Sequence, residues 1–143
     1  MSPSSCVFCK IISGELKAQI VYEDDKIIAF LDAGPIFGGH TLVSPKQHYV
    51  TLMDLPPKML EPLFSVAQVI CRAVEKGLGA EGSFVAINNK ISQSVPHLHV
   101  HVIPRRPKDG MKGFFWPRRP YKDQQEMETT AEAIRKAIPS ESD

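Results

Sequence analysis

Seven residues, His97-Leu98-His99-Val100-His101-Val102-Ile103, constrain this chain more than any other stretch. Imidazoles alternate with apolar side chains at the period of a β-strand. His97, His99 and His101 therefore share one side, and Leu98, Val100 and Val102 the other. The apolar side must cover a core, so the expectation is a strand over His97–Ile103 with three imidazoles on one wet face. Three of the five histidines in the chain fall here, too regular a placement for incidental surface. Spacing also limits the chemistry. The outer two rings stand about 13 Å apart at ~3.3 Å per residue, and metal–nitrogen bonds are only ~2.1 Å long, so one ion takes at most two of them. Divided roles in nucleophilic catalysis fit better: the central imidazole attacks an electrophile, and its neighbours position or discharge it.

The rest of the chain supplies partners for such a strand. Ala18–Glu23 and Lys26–Asp32 are short, β-branched and aromatic, and flank Asp24-Asp25, which reads as a hairpin. A third strand is expected over His40–Ser44, after the Gly34-Pro35 and Gly38-Gly39 breaks, and a fourth over Ser83–Asn88. One long helix is expected from about Pro57 to Gly77. Its buried stripe would be Leu60, Leu63, Phe64, Ala67, Ile70, Val74 and Leu78, and Pro62 would delay its start. Cys6–Ile12 forms a short helical turn, and a C-terminal amphipathic helix spans 123–138. The fold class is α+β, an antiparallel sheet with one long helix and a C-terminal helix. Gly77-Leu78-Gly79-Ala80-Glu81-Gly82 matches the dinucleotide-binding GxGxxG, but it follows a helix and precedes a strand, the reverse of what pyrophosphate binding needs. It reads as a helix C-cap and turn.

Composition excludes several functions. At 143 residues the chain fits a single domain, 1–143, in which 105–121 is a basic and aromatic segment. Seventeen Lys+Arg against sixteen Asp+Glu leave a formal charge of +1, so no global field holds a polyanion and no nucleic-acid partner is expected. No apolar run reaches the ~20 residues of a membrane span. Three cysteines and no basic-then-apolar start point to a reducing, cytoplasmic setting.

With these residues in place, the chain resembles the histidine triad (HIT) family of nucleotide hydrolases and transferases. The family's His-x-His-x-His followed by two apolar residues stands complete at 97–103. Val7-Phe8-Cys9-Lys10-Ile11-Ile12 is similar to the family's opening helix. Tyr22-Glu23-Asp24 with Ala29-Phe30-Leu31-Asp32 resembles its next two strands, and Gly39-His40-Thr41-Leu42-Val43 with Pro45-Lys46-Gln47-His48 its central hairpin. The resemblance implies a homodimer whose sheets join across the long helix and a strand. It implies that His99 attacks the α-phosphorus of a purine ribonucleotide substrate, giving a nucleotidyl-histidine that water hydrolyses. That attack needs a neutral ring whose other nitrogen donates to a backbone carbonyl near His97. His101, Gln93 and Ser94 match positions that contact phosphate oxygens or the leaving group. Asp32 matches the ribose-binding carboxylate, and Val7, Phe8, Ile11 and Phe30 match the apolar slot around the base. Asn88 and Asn89 lie where the family's phosphate loop contributes an asparagine. That loop is shorter here, and Ser92 stands where the family has a glycine.

Cys6-Val7-Phe8-Cys9 spaces two thiolates for one tetrahedral zinc. Some HIT proteins, and the related hexose-phosphate uridylyltransferases, complete such a site with two histidines. Here these correspond to His48 and His97, which implies a structural zinc on Cys6, Cys9, His48 and His97 and no organic cofactor. The expected activity is hydrolysis of nucleoside phosphoramidates or related phosphoesters and anhydrides, releasing a nucleoside monophosphate. The alternatives are a diadenosine polyphosphate hydrolase, a nucleotide-binding regulatory module with weak hydrolysis, and a single-strand binder using the 105–121 segment. Charge counts against the last of these.

Overall fold

A computed structural model describes residues 3–111 and 118–140. The chain folds as two compact units, Met1–Asp109 and Gly110–Asp143. The first holds five antiparallel strands: β1 (Ile20–Glu23), β2 (Ile27–Leu31), β3 (Thr41–Pro45), β4 (Gly82–Ala86) and β5 (Val100–Arg105). Their spatial order is β1-β2-β3-β5-β4. The triad strand is therefore interior, with His101 paired to Leu42 of β3 and Ala86 of β4. At the first hairpin, Asp24 Oδ1 accepts the backbone N–H groups of Lys26 and Ile27, both at 2.8 Å, which closes the turn.

Helix α2 (Leu60–Leu78) covers one face of the sheet. Leu63, Val66, Ala67, Ile70 and Val74 pack there against Ile27, Ala29, Val43, Leu98, Val100 and Val102. Three members of the expected stripe are not in it. Leu60, Phe64 and Leu78 are 40%, 40% and 49% exposed, and Val66 takes the place that the periodicity gave to Phe64. The segment before α2 begins as a 3-10 turn at Pro57–Met59. Pro62 then lies in the first helical turn, where its missing N–H costs no hydrogen bond. The helix ends as expected of the glycine run. Gly79 is left-handed at φ 71, and its N–H bonds to Glu75 O at 3.0 Å. Gly39 is fixed by its backbone: φ is 97, a conformation that L side chains rarely adopt.

The opposite face is the correction that matters for function. It is not wet. Helix α1 (Val7–Ile12), capped by Cys6, lies over it, and Cys6, Phe8, Ile28, Phe30 and Leu42 form a second core. His97 is 0% exposed and His99 7%; only His101 keeps intermediate exposure. The strand is also shorter at its start than the alternation predicts. It begins at Val100, and His97 sits in a bend where its N–H reaches Val95 O at 2.8 Å. Side-chain alternation nevertheless persists through 97–102, because Leu98 N–H bonds to Tyr49 O at 2.7 Å and keeps the chain extended.

In the second unit, α3 (Gln124–Ala137) starts at Asp123, whose carboxylate accepts Glu126 N–H at 2.8 Å. Its apolar positions Met127 and Ile134 are 43% and 60% exposed. Phe114, Phe115 and Trp116, the aromatic heart of the 105–121 segment, lie outside the described residues.

Candidate active site

Three arrangements meet on the α1 side of the sheet. The first is the nucleophile. His99 Nδ1–H donates to the carbonyl of His97 at 2.7 Å, so the neutral ring must carry its proton on Nδ1 and keep the Nε2 lone pair free. Burial pushes this ring's pKa down, opposed by that hydrogen bond and by Asp32, and so favours the neutral, nucleophilic form. The acceptor expected near His97 is the carbonyl of His97 itself.

The second arrangement is a Cys₂His₂ cluster. Cys6 Sγ and Cys9 Sγ lie 3.5 and 3.6 Å from His97 Nδ1. Cys9 Sγ is 3.3 Å from His48 Nδ1, and the two Nδ1 atoms are 3.1 Å apart. Around tetrahedral zinc, bonds of ~2.1 Å to nitrogen and ~2.3 Å to sulfur give ligand–ligand edges of about 3.3–3.8 Å. The cluster already has nearly those edges. His97 is also in the right tautomer, because its Nε2–H donates to Pro45 O at 2.8 Å and leaves Nδ1 as a lone pair facing the thiols. His48 Nε2 is buried without a partner among the described residues, so the cluster is that ring's polar anchor. Without a cation the thiolates are unfavourable: burial, then the neighbouring Cys6, pushes the Cys9 thiol up to about 11. The donor set fits a zinc ion, and the four expected ligands are brought together.

The third arrangement contains a residue that the sequence reading left unassigned. His40, 3% exposed, places Nε2 2.9 Å from His101 Nδ1 and 3.7 Å from Asp32 Oδ2. Its position beside the triad follows from register, since Thr41 pairs with Val102 and Leu42 with His101. Burial lowers the pKa of His40, and it takes His101 to about 4, helped there by His99 and His40. Both rings are therefore neutral at neutral pH. A histidine opening one expected strand, with an aspartate closing the preceding one, was the signal available in the sequence.

Beside these groups lies a cleft of about 400 Å³ lined by Val7, Phe8, Ile11, Phe30 and Asp32, together with Leu42 and Lys17. Phe8 joins the slot to the chemistry. Its ring meets Phe30 edge-on at 5.1 Å and His99 at 4.8 Å. Asp32 Oδ1 accepts Gly34 N–H at 2.9 Å, which orients the carboxylate at the mouth. The five residues expected at base and ribose thus share one cavity. The loop residues do not converge in the same way. Gln93 gives Nε2–H to Val50 O at 2.6 Å and accepts Lys90 N–H at 3.0 Å. Asn89 Oδ1 accepts Leu52 N–H at 2.9 Å, while Asn88 and Ser94 are exposed. Ser92 has φ 61, the left-handed conformation for which glycine is suited.

Comparison with known proteins gives the family and the fold. The HIT domain model matches residues 13–108. The chain belongs to the HIT family. An adenylylsulfatase of Arabidopsis thaliana is 39% identical over 108 residues, 74% of this chain but 55% of the plant protein, so the chain spans about half that relative's length. An uncharacterised HIT-like protein of Mycobacterium tuberculosis is 40% identical over 93% of this chain and 92% of its own. Among solved structures, a HIT family protein from Bacillus subtilis superposes with a TM-score of 0.85 at 32% identity, covering 95% of this chain and 99% of that one. A Zn-bound histidine triad family protein from Mycobacterium smegmatis gives 0.73 at 37% identity, covering 96% and 100%.

Proposed function

We propose that this HIT protein hydrolyses nucleoside phosphoramidates, or related nucleoside phosphoesters and anhydrides, at the α-phosphorus. His99 is the nucleophile, and a nucleoside monophosphate is released. One observation carries the reading: the buried His99 ring gives Nδ1–H to the His97 carbonyl, which leaves Nε2 as the lone pair, and the ring lies 4.8 Å from Phe8 of the base slot. Binding alone requires no such nucleophile. Purine stacking between Phe8, Phe30, Val7 and Ile11, with ribose hydroxyls on Asp32, would set the phosphate against His99 and His101. His101 then acts as a donor to phosphoryl oxygen, which stabilises charge that grows in the transition state. A hydrolase name on the plant relative supports this class.

Zinc on Cys6, Cys9, His48 and His97 is part of the same proposal, as a structural ion. Its chemistry would be to hold two thiolates and two rings in one geometry, and so to fix the His97 carbonyl that orients His99. A homodimer is supported by the apolar side chains left on α2 and β4, where Leu60, Phe64, Val69 and Val85 are each 40–45% exposed. Among the described residues no helix is long and apolar enough to cross a membrane.

Rapid quench with a nucleotide labelled at the α-phosphorus is expected to trap label on His99. His99→Ala is expected to lower turnover by about 10³-fold or more while nucleotide still binds. Full turnover by His99→Ala, or label on another residue, refutes the assignment.

A further inference from the structure

Helix α1 is six residues long. A helix of that length does not hold in water on its own hydrogen bonds, so contacts outside it must fix its place. Apolar packing supplies part of them, joining Phe8 to Ile28, Phe30 and Leu42, with Ile11 and Ile12 beside that cluster. The polar ties are narrower. Among the described residues, every polar contact from residues 6–12 to a residue beyond 16 runs through the sulfurs of Cys6 and Cys9. The same sulfur counts again within the helix, since Cys6 Sγ accepts the Cys9 N–H at 3.4 Å and caps the first turn.

These two cysteines bracket Val7 and Phe8, which together with Ile11 form the α1 wall of the base slot. Phe8 is the shared member. Its ring centre stands 5.8 Å from that of His97, 4.8 Å from that of His99 and 5.1 Å from that of Phe30. One side chain thus borders the ligand cluster, the nucleophile and the nucleotide cavity. The four ligand atoms come from α1, from His48 after β3 and from His97 in the bend before β5, and they meet within 4.8 Å of one another. Holding them together fixes how far α1 stands from the sheet, and so the width of the slot.

Resting on the base-slot and zinc readings above, we infer that α1 is a metal-held wall of the nucleotide site. Zinc on Cys6, Cys9, His48 and His97 and a purine nucleotide in the slot tighten each other's binding, and Phe8 is the positioning residue between them. With the four ligands released, α1 keeps only its apolar contacts, and the Val7–Phe8 wall leaves the base. The element that both sites bias is α1, docked or undocked, and coupling through one such element is reciprocal. The route through the His97 carbonyl to His99 is separate, because it acts on attack at phosphorus and not on the base.

Three measurements on the whole protein test this, with AMP as the nucleotide and no chemistry in the readout. Amide exchange comes first. Stripping zinc with a chelator is expected to speed exchange at Lys10 and Ser13, whose N–H groups bond to Cys6 O and Cys9 O at 3.0 Å, by about tenfold or more. The amides of β3 and β5 should keep their protection. Equal loss throughout would make the metal a staple of the whole fold, and no loss would make α1 independent of it; either overturns the inference. Calorimetry comes second. The Kd of AMP should rise about tenfold on stripping, and saturating AMP should tighten zinc by the same factor. Phe8→Ala comes third. It keeps the four ligands and should still hold zinc, but the factor should fall below about twofold, while Phe8→Leu restores part of it. Where Phe8→Ala fails to fold, Val7→Ala, on the exposed side of the same wall, should lower the factor. An undiminished factor in the variant that folds overturns the inference. AMP binding that stripping leaves unchanged sinks this inference and leaves the slot standing. A zinc-loaded protein that binds no AMP sinks the nucleotide-site reading, and a chain that takes up no zinc sinks the metal reading; this inference falls with either.

Discussion

Two polar clusters on one face of this sheet look alike by proximity and differ in chemistry. Cys6, Cys9, His48 and His97 bring four ligand atoms within 4.8 Å of one another, and Asp32, His40 and His101 bring three. Two histidines with a carboxylate form a common ligand set for a divalent metal. What separates the clusters is the partner of the nitrogen that points away. In the first, the Pro45 carbonyl takes the Nε2 proton of His97 and presents a bare Nδ1 to the thiols. In the second, the Ile36 amide occupies Nδ1 of His40 and forces the proton onto Nε2, where a metal would have to bind. One backbone carbonyl makes a ligand; one backbone amide makes a donor. Ligand spacing alone therefore overstates how many metals this protein can hold.

The sharpest way to break this comparison is to remove one ligand from each cluster and count metal. Purified protein is expected to hold one zinc per chain. Cys9→Ala should hold none, with a thermal midpoint lower by roughly 10 °C or more, since a structural zinc contributes several kcal/mol to folding. Asp32→Asn should keep its zinc. Elemental analysis and a thermal scan of the three proteins decide the matter. Two zinc ions per chain in the wild type would show that the Ile36 hydrogen bond does not bar metal from His40. Zinc well below one per chain would remove the metal from the first cluster.

Much of this was legible in the chain. The alternation at 97–102 placed the histidines on one side, and the Cys6/Cys9 spacing, completed with His48 and His97 by the family resemblance, named a ligand set whose four members meet. What sequence could not show was coverage. Imidazoles in alternation read as a wet face because their polarity is local, whereas their burial depends on α1 folding back with Cys6 and Phe8 over the sheet. Long-range partnering hid the loop as well: Gln93 is engaged by Val50, forty-three residues away in sequence. The α2 stripe misplaced Phe64 because a period of 3.6 fixes a helix face but not its limits.

Acid should separate the clusters more gently. Burial, helped by His99 and His40, holds His101 well below the ordinary 6.5, at about 4. Between those values the folded chain binds fewer protons than the unfolded chain. Stability is therefore full above about 6.5 and declines as pH falls toward 4. The thermal midpoint of zinc-loaded protein is expected to drop by a few degrees between pH 7 and pH 5, and His101→Gln, which lacks that ring, should drop less. An identical decline in both proteins would assign the acid sensitivity to the zinc cluster alone.

The smallest effect concerns Asp32, which borders both the base slot and the His40–His101 pair without being committed to either. Its Oδ2 is 3.7 Å from His40 Nε2, beyond a good hydrogen bond, while Oδ1 is held by Gly34. Lone pairs toward the cleft are left for ribose. If Asp32 serves the sugar, Asp32→Asn weakens binding of a nucleoside monophosphate by about 1.5–3 kcal/mol, the worth of a hydrogen bond to a charged group. That loss should nearly vanish for the 2′,3′-dideoxy ligand, which offers no hydroxyl to accept from. Titration calorimetry with the two ligands against both proteins reads the difference directly. Equal losses would mean that the carboxylate acts on His40 and, through it, on His101. The second cluster would then be a three-member unit rather than two histidines polarised by one amide.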